Sequence, residues 1–114
     1  MRFARLSLLF VQSIGALFVG TFCWMHATWP ADDGWAFRAT TSDWIAASIG
    51  RAFLSVGIAL SVGLVVYLLN SGLKRTRLAT VAVEPSAVAG AVALVVGAFG
   101  VTGAGWFYYT RPFL

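Results

Sequence analysis

At 114 residues, 60% hydrophobic and 11% charged, the chain is too apolar for a soluble domain of its size. Soluble domains carry about 25% charged residues, and small ones leave much of their area exposed. The composition therefore predicts one membrane-embedded unit with no separate soluble domain. The net charge of +4 does not point to nucleic acid, because the basic residues flank apolar runs and form no patch interleaved with stacking aromatics.

The first predicted element follows two positive charges, Arg2 and Arg5. Residues 6–25 are apolar apart from Ser7, Gln12, Ser13 and Thr21. Twenty helical residues cover about 30 Å, the depth of a hydrocarbon core. A cleaved signal peptide is the competing reading. The run is long for one, and no small-x-small cleavage site follows. Phe22 before Cys23 also lacks the small residue that a lipoprotein signal carries.

Residues 26–43 are expected to form the first loop. Pro30 and Asp33-Gly34 are turn signals, and Thr41, Ser42 and Asp43 are suitable helix N-caps. The second span is predicted over about 44–69, with residues 52–69 free of charge and Asn70-Ser71-Gly72 as the expected stop. An inner loop over 70–84 carries Lys74, Arg75 and Arg77. The third span is expected from Pro85, a favoured first helical residue, to about Phe107, followed by a tail over 108–114.

The fold class is thus an all-α membrane protein with three transmembrane helices. Arg2, Arg5, Lys74, Arg75 and Arg77 fall on one side, and Arg38, Arg51 and Arg111 on the other. The basic excess predicts a cytoplasmic N-terminus and an outer or periplasmic C-terminus. A strong arginine bias over lysine suggests a GC-rich bacterium, hence its inner membrane. All of Trp24, Trp29, Trp35, Trp44 and Trp106 then lie outside, with Tyr108 and Tyr109. They read as a headgroup anchor or as a docking surface.

Few residues invite chemistry. Arg51 either lies inside the membrane, needing a partner such as Asp43, a lipid phosphate or another subunit, or snorkels outward from a core beginning at Ala52. Snorkelling is the simpler expectation, since 52–69 suffice to span. Cys23, Met25 and His26 are soft-metal ligand types, and Cys23 and His26 share a helical face, but no second His or Cys supports them. The single cysteine excludes an intramolecular disulfide and a thiolate zinc site. Asp32 and Asp33 are adjacent and point apart, as in a solvated turn. No cofactor, metal site or catalytic set is predicted. Spans one and three hold no ionisable group, which argues against a self-sufficient transporter.

Small residues form the remaining pattern. Ala89, Ala93 and Gly97 repeat every four residues in span three, Gly97, Gly100 and Gly103 every three, and Ser55, Ala59 and Gly63 every four in span two. Such stripes allow close helix approach, either within the chain or onto a partner. The expected function is a small non-catalytic subunit of a larger bacterial inner-membrane complex, respiratory or photosynthetic by class analogy. It would support assembly, stability or sealing, with lipid and larger membrane subunits as partners. The alternative is a homo-oligomeric pore or holin-like permeabiliser, for which Gln12, Ser13, Ser55, Ser61 and Thr102 are a thin polar lining.

Overall fold

A computed structural model describes residues 2–76 and 83–113. They form four helices: α1 (Arg2–Thr28), α2 (Asp33–Arg38), α3 (Thr41–Lys74) and α4 (Pro85–Thr110). The fold is all-α, and α1, α3 and α4 are long and apolar enough to cross a membrane. Arg77 and Leu114, counted above in the inner loop and the tail, lie outside the described residues.

Helix limits follow from local chemistry. Thr40, one residue earlier than expected, caps α3: its Oγ1 accepts from the Asp43 amide at 3.2 Å, while Asp43 Oδ2 accepts from the Thr40 amide at 2.8 Å. This reciprocal box satisfies two amides that a helix start leaves unpaired. Asp43 is thereby occupied locally and is not the partner of Arg51. Asp32 caps α2 by accepting from the Trp35 amide at 3.1 Å, so the first loop contains a short helix that turn signals alone did not suggest. Glu84 caps α4, and Pro85 opens it. At the far end Arg111 adopts a left-handed conformation (φ 46°), its amide reaches Phe107 O at 2.8 Å, and Pro112 follows.

All three long helices run past the expected span limits, α1 over Arg2–Thr28, α3 over Thr41–Lys74 and α4 to Thr110. α3 does not stop at Asn70 but runs to Lys74. Asn70 is fully buried, and its Nδ2 donates to Gln12 Oε1 at 2.7 Å and to Val66 O at 3.0 Å. An amide with partners inside the bundle has no reason to terminate a helix.

The helices make a rod of 59 × 18 × 16 Å. α4 packs against both α1 and α3, which meet each other far less. α1 and α4 are parallel and α3 runs against them, since Gln12 meets Asn70 near one end and residues 26–29 meet Arg51 near the other. Arg2, Arg5, Lys74 and Arg75 thus share one end, and Arg38, Arg51 and Arg111 the other.

Small side chains set the spacing. A Cβ on Gly63 would lie 3.2 Å from Ala89 O and Ala93 Cβ, and one on Gly97 would lie 3.6 Å from Ala59 Cβ. The two four-spaced stripes therefore pack on each other. On α4's other face, a Cβ on Gly103 would meet Ala27 Cβ of α1 at 2.9 Å. At Gly100 it would overlap Ser55 Cβ and Oγ. Ser55 Oγ is buried there without a hydrogen-bond partner, a cost accepted for close approach. Around the outside, Phe18, Phe53 and Leu94 are 77%, 73% and 76% exposed.

Two tests follow. Gly100→Ala should destabilise the chain by about 1–3 kcal/mol in detergent unfolding, because the contact is already full. Ser55→Gly in that background should recover most of the loss. Gly57→Ala, with nothing within 4 Å, should cost nothing. A neutral Gly100→Ala would place α3 and α4 further apart. Separately, hydrogen bonds from Ser86 Oγ at 2.7 Å and the Ala87 amide at 2.6 Å hold the Glu84 carboxyl below its ordinary range. A lowered folded-state pKa stabilises above the unfolded value and is lost only as pH falls through the folded one. An NMR titration should give Glu84 a midpoint below that of a free glutamate, and an ordinary midpoint would exclude the cap.

Candidate functional site

The last carbonyls of a helix have no intrahelical partner and carry the negative end of its dipole. At the end of α1 a single nitrogen meets them. Arg51 Nη1 donates to Trp29 O at 2.6 Å, Ala27 O at 3.0 Å and His26 O at 3.2 Å. The guanidinium carbon also lies 3.6 Å from the centroid of Phe107 on α4. One side chain of α3 thus fastens the end of α1 and stacks on α4. Arg51, expected to snorkel from a core beginning at Ala52, is half-buried, and its guanidinium ends on backbone carbonyls at the α1 terminus.

Phe107 is the centre of this end, with no exposed surface. Its ring tilts against Trp44 at 5.2 Å, and Trp35 meets Trp44 edge-on at 5.0 Å and 70°. Offset and edge contacts of this kind suit the ring quadrupoles. The Ala31 amide donates to Pro112 O at 3.0 Å, binding the loop to the tail. Ala31, Trp44 and Phe107 form a small core with Trp35, Ala36, Ala39, Ala47 and Tyr108 around it.

The other aromatic residues separate. Trp29 is exposed, and its carbonyl, not its ring, binds Arg51. Trp106 and Tyr109 face outward and pair with each other at 6.4 Å. Tyr108 is half-buried beneath the Arg111 guanidinium, 5.1 Å from its ring. Trp24 is half-buried and lines a groove of about 550 Å³ between α1 and α4, with Thr21, Val95, Ala98, Phe99 and Thr102. The aromatic residues therefore make one packed cluster and a surrounding exposed set.

Cys23 and His26 do not converge. Cys23 is buried in the core with Ala16, Ala59, Val92 and Val96, and His26 is exposed. No group of three His, Cys, Asp or Glu side chains that could hold a metal occurs among the described residues. Ala89, Ala93 and Gly97 are half-buried in the α3–α4 contact, and Ala93 and Gly97 also border a shallow apolar groove of about 360 Å³.

Phe107 and the Gln12–Asn70 pair are the residues that sequence reasoning missed as anchors. Phe107 continues the buried positions Gly100, Gly103 and Ala104 on α4, a periodicity visible in the chain. Gln12 and Asn70 were the amides nearest the same predicted membrane face. No protein-family model, curated protein or solved structure matches the chain.

Arg51→Ala should cost about 2–4 kcal/mol, combining charged hydrogen bonds with the ring contact. Hydrogen exchange should rise first around residues 26–31. Arg51→Lys should recover only part, since an ammonium donates but does not stack as a plane. Unchanged exchange in Arg51→Ala would show that α1 ends without help from α3.

Proposed function

We propose that the chain is a three-span inner-membrane protein of bacterial type and a small non-catalytic subunit of a larger membrane complex. Its polar ends support the membrane part. From Arg51 to Asn70, nineteen helical steps cover about 28 Å, close to a hydrocarbon core. The polar contacts between α1 and α3 then fall at the two boundaries, with the exposed Phe18, Phe53 and Leu94 towards lipid. The basic excess at the Arg2–Lys74 end supports a cytoplasmic N-terminus.

The observation that carries the subunit reading is an apolar seam along α3 and α4. Two shallow grooves of about 430 and 360 Å³ follow each other along this helix pair and share Val101. Their walls include Ala52, Ala104, Gly105, Ala93 and Gly97, so the chain's own side chains leave the seam open. Packing drives helix association in lipid, and small residues give a neighbour's side chains access. The role that fits is assembly, stabilisation or sealing at the periphery of that complex. The pore reading has less support. Gln12 and Ser55 are buried within one chain, and the hydroxyls of Ser13 and Ser61 return to their own helix at 2.8 Å.

Purification from native membranes in mild detergent, followed by mass measurement, separates the readings. A stoichiometric larger partner is expected, and Val101→Trp should displace it while the isolated chain stays folded. A homo-oligomer alone would favour the pore and overturn the subunit reading.

A further inference from the structure

We propose that the shallow pocket between Arg51 and the aromatic cluster binds the phosphoethanolamine headgroup of a membrane lipid. The inference rests on the membrane reading above and adds a ligand that the subunit role does not require.

The pocket is about 340 Å³ and is lined by Ala31, Asp32, Trp35, Ala47, Arg51 and Phe107. Its two charged side chains differ in sign. Arg51 uses only Nη1 for the end of α1. Among the described residues, Nε and Nη2 have no hydrogen-bond partner, which leaves three N–H donors of a half-buried guanidinium open. Planar donor pairs of this kind match phosphate oxygens. Asp32 uses Oδ2 for the Trp35 amide, and its other oxygen is unengaged. No ion pair joins Asp32 to Arg51 although both residues border the pocket.

That arrangement selects among headgroups. A phosphate at Arg51 brings its own substituent towards Asp32. An ethanolamine ammonium, two carbons from the phosphate ester oxygen, donates hydrogen bonds to the carboxylate. A choline head has no N–H to give. A glycerol head leaves the carboxylate facing a net anion, which is unfavourable. The ring walls, Trp35 and Phe107, add cation and apolar contact. The pocket's depth is also that of headgroups, at the tryptophan-rich end of the bundle where aromatic belts lie.

The test uses the full chain equilibrated with equal amounts of dioleoyl phosphatidylethanolamine, phosphatidylcholine and phosphatidylglycerol, followed by native mass spectrometry of retained lipid. Phosphatidylethanolamine should be enriched about fivefold over either competitor. Asp32→Asn keeps an N-cap of equal quality. It should remove this preference and favour phosphatidylglycerol. A fold check by circular dichroism accompanies Asp32→Asn, and Arg51→Lys, which keeps a cation, should weaken retention of all phosphate lipids. Equal retention of the three lipids by the native chain, preference for phosphatidylglycerol, or an unchanged profile in Asp32→Asn overturns the site while leaving membrane insertion intact. A chain that fails to float with lipid vesicles overturns both.

Discussion

The guanidinium of Arg51 is the constraint on which the rest of this bundle depends. In the membrane setting proposed above, a charge some ten residues into α3 is expensive at the edge of the hydrocarbon layer unless it is satisfied. The end of α1 is expensive for the opposite reason, because its last carbonyls lack donors. Each supplies what the other lacks. The contact fixes α1 against α3 at one end, and the amides of Gln12 and Asn70 do so at the other. Between these ends α1 and α3 meet little, and α4 holds them.

α4 can do this because two of its faces are small. Gly97 and Gly100 admit α3, and Gly103 admits α1. The central core is built of small and branched groups, Ala16, Cys23, Ala59, Val92 and Val96, with Val19, Ile58, Val62, Val66 and Val88 packed against it. Close backbone approach at the small residues adds dispersion contacts to this packing. The buried, unpartnered hydroxyl of Ser55 is the local cost of that spacing. The larger side chains are displaced to the perimeter and to the aromatic end, where Phe107, Trp44 and Trp35 close the bundle over Arg51.

Much of this was legible in the sequence. Three apolar runs gave three long helices, because length and hydropathy are properties of each segment alone. Pro85 marked the start of α4 for the same local reason. The four-spaced stripes announced close packing, though not against which helix. What was not legible depends on which helices meet. Asn70 looked like a helix stop until Gln12 is placed beside it. Arg51 was legible as a charge near the end of a span, but its carbonyl partners at the α1 terminus were not. Phe107 was one aromatic among many in its cluster, and only the junction with Trp44 and Arg51 singles it out. The short helix α2 depended on one capping contact from Asp32.

The central claim is that the two polar contacts lie at opposite faces of one bilayer, with the aromatic end outside. Cysteine labelling in sealed cells tests it most directly. In a Cys23→Ala background, single cysteines replace Phe37, Leu64 and Arg75, which are exposed on the isolated chain near one end, mid-rod and near the other end. A membrane-impermeant maleimide should label Phe37→Cys in intact cells, Arg75→Cys only after permeabilisation, and Leu64→Cys in neither case. Labelling of Arg75→Cys in intact cells with Phe37→Cys protected would reverse the orientation. Ready labelling of Leu64→Cys would contradict the membrane-spanning bundle itself.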